Sequence, residues 1–135
     1  MIRRLVDTSA YSAHLRDLRA IARAIAEADE LYVSVVVLGE LRAGHLRGSK
    51  GRRNEELLAM FLASPRVRVL DVDEETSHRY AIIHADLRSR GTPVSPNDEW
   101  IAATAVQHGL RVLTTDSDFK KIPQAIVDFV EPHAA

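Results

Sequence analysis

Apolar and polar positions alternate along this chain in blocks that change period from strand-like to helix-like and back. Ile2–Val6 reads as a short buried strand, and a helix follows with Leu15, Leu18, Ala22 and Ile25 on one face, spaced 3, 4 and 3 residues apart. Leu31–Val35 predicts a second strand running into a helix over Leu38–Leu46. After Gly48-Ser49-Lys50-Gly51 comes a helix carrying Leu57, Leu58, Phe61 and Leu62. Val67–Val72 predicts a third strand, β-branched and short, behind the breaker Ser64-Pro65. Asp73-Glu74-Glu75 places acids in the first turn of a long helix that ends before Gly91, where they complement its dipole. A loop through Pro93 and Pro96 delivers Asp98 to a helix that closes near Gly109, and Arg111–Leu113 and Ile126–Val130 give the last strands. Alternation of this kind predicts an α/β fold with a central, mostly parallel sheet of four or five strands flanked by helices. The 135 residues form a single domain, 1–135, with no internal repeat.

Four acids occupy equivalent places in this pattern. Asp7 closes the first strand, Glu40 follows the apolar stretch that starts at Leu31, Asp98 begins an alanine-rich helix, and Asp116 follows the Arg111–Leu113 strand. In an open α/β sheet such positions converge at the carboxyl edge of the strands. Carboxylates gathered there repel one another unless a cation lies between them, and Mg²⁺ or Mn²⁺, one or two ions, suit an all-oxygen set. Two such ions about 3.5–4 Å apart serve phosphodiester cleavage. Thr8, Ser9, Asn97, Thr114 and Thr115 stand beside these acids as groups that orient carboxylates. Each acid alone has a plainer role: Asp7 and Asp116 as caps, Asp98 as a first-turn acid.

Composition narrows the chemistry further. The chain has no cysteine, which excludes disulfides, thiolate metal sites and cysteine nucleophiles. Its six histidines are scattered with no zinc-binding spacing, so His14, His78, His84 and His133 are expected at the surface and His45 and His108 on helix faces. No apolar run reaches the roughly 18 residues of a membrane span, and Arg3-Arg4 precede no signal-like stretch, so a cytoplasmic protein is expected. The net charge of −1 hides a partition. Arg42, Arg47, Lys50, Arg52 and Arg53 lie in a segment without acids, a pattern that suits a phosphodiester substrate or a merely solvated helix end.

Val6-Asp7-Thr8-Ser9, Ser34 through Leu41, Asn97-Asp98 with Ile101-Ala102-Ala103-x-Ala105, and Thr114-x-Asp116-x-Asp118-Phe119 together resemble the successive motifs of PIN-domain nucleases. The toxin ribonucleases of the VapBC toxin–antitoxin class are the nearest match, and the resemblance runs from Ile2 to about Val130. It implies a metal-dependent endoribonuclease held inactive by a small antitoxin. The family's first three acids fall on Asp7, Glu40 and Asp98, and its fourth on Asp116, with Asp118 as a further ligand. Glu99 departs from the apolar residue usual there and is expected at the surface. The resemblance also implies a homodimer, with Tyr80, Ile83 and Leu87 as the nominated face, and an antitoxin groove between the helices Leu15–Ile25 and Leu57–Leu62. A structured RNA such as a tRNA is the expected target, since seven aromatic residues (one Trp, three Tyr, three Phe) offer little base stacking.

Three rival readings remain on the sequence. A response-regulator receiver needs an acidic pair after the first strand, where one acid stands, and a haloacid-dehalogenase-type phosphatase needs an Asp where Ser9 stands. A non-catalytic PIN-like RNA- or protein-binding module need not keep the whole acid set.

Overall fold

The structure is a computed structural model that describes residues 1–133. Five strands, β1 (Arg3–Val6), β2 (Glu30–Ser34), β3 (Val67–Leu70), β4 (Arg111–Thr114) and β5 (Ile126–Phe129), form one sheet in the order β3-β2-β1-β4-β5. Every pairing is parallel. Six helices connect the strands: α1 (Thr8–Leu15), α2 (Arg19–Glu27), α3 (Val35–Arg47), α4 (Gly51–Leu62), α5 (Glu74–Arg90) and α6 (Pro96–His108), with a short 3₁₀ turn at Ser117–Lys121. The expected α/β architecture is therefore present, with five strands. Leu5, Val6, Leu31, Val33, Val112 and Leu113 fill the sheet core, each at most 2% exposed. β1 is central, flanked by β2 and β4, so the chain reverses its winding direction across it. In parallel sheets the crevice at the carboxyl end of such a switch point is where ligands bind.

Four local expectations change. The first predicted helix is two, α1 and α2, separated by Asp17 in the left-handed region at φ 58°. That break resets the helical phase: Ile21, Ala24 and Ile25 are buried, while Ala22 and Leu15 are exposed. The strand predicted through Val35 ends one residue earlier. Ser34 caps α3, its Oγ accepting from the N–H groups of Val36 (3.0 Å) and Val37 (3.3 Å), which turns a β-branched run into a helix. On α5, Ile83 and Leu87 are 1% and 0% exposed and face the core, so they do not form a surface for self-association. That outer face instead shows Ile82. The third strand is also shorter than expected, leaving Val72 outside it.

Helix ends are well specified. Asp73 caps α5 in a reciprocal box with Thr76, and Gly91 and Gly109 close α5 and α6 at φ 69° and 66°, values that favour glycine. Because α5 lies antiparallel along α6, the face of α6 turned away from the sheet is covered rather than free. Thr76 and Gln107 hydrogen-bond across that contact, and Tyr80 stacks on Trp100 with ring centroids 4.0 Å apart.

Candidate metal centre and its relatives

Asp7 is the first residue after β1 and also the cap of α1. Its Oδ1 accepts from Ala10 N–H (2.8 Å) and Ser9 Oγ–H (2.8 Å), and Oδ2 accepts from Thr114 Oγ–H (2.7 Å). At 3% exposure it is almost wholly removed from water. Burial pushes its pKa up to about 6, against the hydrogen bonds from Thr114, Ala10 and Ser9, and nearby Asp116 adds to the rise. The cap of α1 therefore also stands among the acids at this edge of the sheet.

Asp98 sits in the first turn of α6 behind Ser95, whose Oγ accepts from the Asp98 N–H (3.2 Å). Half-buried, it too is raised to about 6. Burial is the main cause, followed by Asp116, with Asp7 and Glu40 contributing and the Ser95 contact opposing. Asp116 leaves β4 through a Thr114 hydroxyl that accepts its N–H (2.9 Å), and its own Oδ1 accepts from Asp118 N–H (2.9 Å). Asp98, Asp116 and Asp118 each present one carboxylate oxygen, all within 4.8 Å of one another. Asp118 is additionally paired with Lys121 (2.9 Å).

Glu40 reaches the same edge from α3. Its Oε1 accepts from Thr8 Oγ–H (2.6 Å) and its Oε2 from Asn97 Nδ2–H (3.2 Å), so the first and third motifs are tied through it. With Val36, Gly39, Ala43, Arg47 and Asn97 it lines an open pocket of about 580 Å³. Of the polar neighbours named from the sequence, Thr8 and Asn97 hydrogen-bond Glu40, and Ser9 and Thr114 hydrogen-bond Asp7. Thr115 takes part through its backbone N–H, donated to Ser9 Oγ (3.0 Å). Ser95 was missed, although the Ser-Pro start of a helix marks a cap.

All donors in this cluster are hard oxygens, and two of its carboxyls, Asp7 and Asp98, are held above their ordinary range by burial and by neighbouring carboxylates, Asp116 first among them. The same charges favour a divalent cation, so the residues present fit Mg²⁺ or Mn²⁺.

The basic segment is less uniform than its sequence implies. Arg42 and His45 contact Glu55 (3.5 and 2.7 Å), and Arg53 lies 3.7 Å from Glu56, two acids just beyond the stretch first counted. Arg52 lines a separate pocket with Arg42 and His45, and Lys50 precedes α4. Arg47 is the member that shares a pocket with Glu40 and Asn97. Glu99 is not at the surface: it is 3% exposed, with both carboxylate oxygens 3.1 Å from His84 Nδ1. The cover of α5 over α6 is the reason, and Tyr80 and His84, one turn apart opposite Trp100, are the signal that would have shown it. Among the other histidines, His78 and His133 are exposed as expected, whereas His14 packs half-buried against Tyr11 and Phe61.

A PIN-domain family model matches residues 4–125. The chain is 41% identical over 95 residues to Ribonuclease VapC4 of Mycobacterium tuberculosis, covering 70% of this chain and 73% of that protein. It is 35% identical over 92 residues to a tRNA(fMet)-specific endonuclease VapC of Salmonella typhimurium, covering 67% and 68%. Among solved structures it superposes on VapBC-5 of Mycobacterium tuberculosis, from the VapBC family of toxin-antitoxin systems, with a TM-score of 0.73 and 28% identity, covering 96% of this chain and 98% of that one. With the acid cluster lying at the carboxyl edge of a parallel five-stranded sheet, the chain belongs to the PIN-domain family and, within it, to the VapC ribonucleases.

Proposed function

We propose that this protein is a Mg²⁺- or Mn²⁺-dependent endoribonuclease toxin, inhibited by a cognate antitoxin, and that Asp7, Glu40, Asp98 and Asp116 are its catalytic and metal-holding residues. The observation that carries this is the convergence of Asp7, Asp98 and Asp116 at the switch point of the sheet, where Asp116 adds to the raised pKa of both Asp7 and Asp98. When bound, the ion supplies positive charge for the phosphodiester and acidifies an attacking water.

The protein's own groups do the rest. Three hydrogen-bonded neighbours fix Asp7 in one rotamer, so its oxygen is placed before any ligand arrives. Asp98 and Asp116 face it, and Asp118 adds an oxygen if it releases Lys121. Thr8 and Asn97 hold Glu40 at the pocket mouth, and Arg47 offers that pocket a phosphate partner. The substrate is RNA, and the tRNA-specific relative supports a structured tRNA target. Arg42, Lys50, Arg52 and Arg53 extend the contact along the backbone of that RNA.

Incubating labelled RNA with the purified protein, with and without Mg²⁺, tests the reading. Cleavage should need the metal and fall by at least 100-fold in Asp7→Asn, Glu40→Gln and Asp98→Asn while far-ultraviolet circular dichroism is unchanged; Asp116→Asn should be the mildest, because Asp118 lies beside it. Full activity in Asp7→Asn would refute the mechanism. A non-catalytic binding module would retain RNA binding and cut nothing under any metal.

Two partners complete the proposal. The antitoxin lies against α1, α2 and α4, where Leu15 and Met60 are exposed and Leu57 and Leu62 half-buried, although Ile21 and Leu58 are spent in the core. The toxin itself forms a homodimer. Light scattering at micromolar concentration should return twice the chain mass of 15.0 kDa, and a monomer alone would remove the dimer from the proposal.

A further inference from the structure

Asp116 caps the 3₁₀ turn Ser117–Lys121, which holds Asp118 and Lys121 at the acid edge. Phe119 and Ile122, 0% and 1% exposed, anchor this turn in the core, and the Ile122 N–H closes it on the Phe119 carbonyl (3.2 Å). The side chains of Asp118 and Lys121 remain 43% and 47% exposed, with Lys121 Nζ 2.9 Å from Asp118 Oδ1. Asp118 also presents one of the three oxygens that converge with those of Asp98 and Asp116. Lys121 therefore stands one carboxylate away from that convergence. Among the described residues it is the one cation ion-paired with an acid of this edge. Its neighbour Lys120 is turned onto β5 instead, with Nζ 3.8 Å from the Phe129 ring centroid.

We infer that Lys121 is a phosphate-binding residue of the acid edge, kept on Asp118 until a divalent cation takes that carboxylate, an inference that rests on the ribonuclease reading above. An exposed ion pair of this kind contributes little to stability, so exchanging partners costs little. A divalent cation carries twice the charge of an ammonium and meets several carboxylates at once, so it outcompetes Lys121 for Asp118. The exchange leaves an ammonium without a partner beside the place where an RNA phosphate must come. Lysine is a compact point charge on a flexible stem, which suits capture of a phosphate oxygen from a turn that is itself fixed in the core. One side chain thereby serves in two states. Without metal it offsets part of the charge that Asp98, Asp116 and Asp118 bring together, and with metal it is released to the RNA. Metal and RNA should accordingly favour each other's binding through Lys121.

The test uses the full-length protein and two probes. Mn²⁺ alone is followed by electron paramagnetic resonance, and end-labelled tRNA by filter binding with and without Ca²⁺, which replaces Mg²⁺ so that binding is read without cleavage. Lys121→Met removes the competing cation and should bind Mn²⁺ about 3- to 10-fold tighter, whereas Asp118→Asn removes a ligand and should bind it about 3-fold weaker or worse. A pair that only fastened the turn would be broken equally by both changes, and Mn²⁺ affinity would then move one way or not at all. On tRNA, Lys121→Met should cost about 10-fold with Ca²⁺ and less than about 2-fold without it, the loss expected for one charged contact to phosphate. Asp118→Asn frees Lys121 and should tighten metal-free tRNA binding by about 3-fold. Lys121→Arg keeps the charge and should behave on tRNA as the unaltered protein does. Circular dichroism checks the fold, and if Lys121→Met unfolds, Lys121→Gln makes the same comparison. Mn²⁺ affinities that shift in the same direction in Lys121→Met and Asp118→Asn, or do not shift, overturn the exchange. A tRNA affinity in Lys121→Met that responds to Ca²⁺ as the unaltered protein's does overturns it too. In each of these cases Mg²⁺-dependent cleavage by the unaltered protein leaves the ribonuclease reading standing, and that reading fails only if cleavage is absent.

Discussion

Asp7 and Asp98 set an unusual pH profile for the metal-free protein. Both carry folded pKa values near 6, above the ordinary 3.8, chiefly because burial disfavours their charged forms. Their ionisation therefore costs stability fully above pH 6, and that cost is relieved as pH falls from 6 towards 3.8. Below 3.8 both states are protonated and nothing more is gained. For buried Asp7 the swing is on the order of 1–3 kcal/mol. Asp73, Asp86 and Asp128 are shifted the other way by hydrogen bonds and arginines, so their contribution is lost as pH drops below the ordinary carboxylate range. Thermal melts without divalent metal should thus peak near pH 5, not pH 7, and Asp7→Asn should flatten the slope between them. A Tm that rises steadily from pH 5 to 8 would contradict this. At the same scale, Asp7 and Asp116 stand out in the sequence because each follows a strand, and Asp98 because it begins a helix, while Glu40 lies one turn further into α3. Glu99 was not, since its burial depends on a second helix that local spacing cannot see.

Among the elements, the α1–α2 break shows where periodicity misleads. Leu15, Leu18, Ala22 and Ile25 satisfy a helical stripe, yet Asp17 at φ 58° rotates the second helix so that Ile21 and Ala24 face inward instead. A non-glycine residue there is conformationally costly. Asp17→Gly should be neutral or stabilising by up to about 1 kcal/mol, and Asp17→Val destabilising by roughly 1–2 kcal/mol, both read from urea midpoints. Equal midpoints for the two would mean the left-handed turn relaxes freely. The Ser34 cap explains the other boundary error: one serine accepting two N–H groups converts Val35-Val36-Val37 from strand-like to helical. Strand direction was readable because alternation of strands and helices leaves parallel pairing as the economical solution, whereas the strand order came only with the structure.

For the whole molecule, the cations of the basic segment are not equivalent. Arg47 borders the Glu40 pocket, whereas Arg42 and Arg53 already face Glu55 and Glu56. Arg47→Ala should weaken RNA binding and reduce the slope of log affinity against log salt by about 0.7–0.9, and Arg53→Ala should do less. Salt titrations giving equal slopes for both would assign the RNA path to the α4 side. The sheet holds a last consequence. β1 pairs with β4, so the Asp7 oxygen takes its Thr114 hydrogen bond from a residue 107 positions later in the chain. During synthesis the first acid is made early and its partner late, and parallel neighbours this distant close slowly. A ribosome-bound nascent chain that stops before β4 therefore carries Asp7, Glu40 and Asp98 without the scaffold that gathers them. The Asp7 setting therefore forms only once β4 has joined the sheet beside β1.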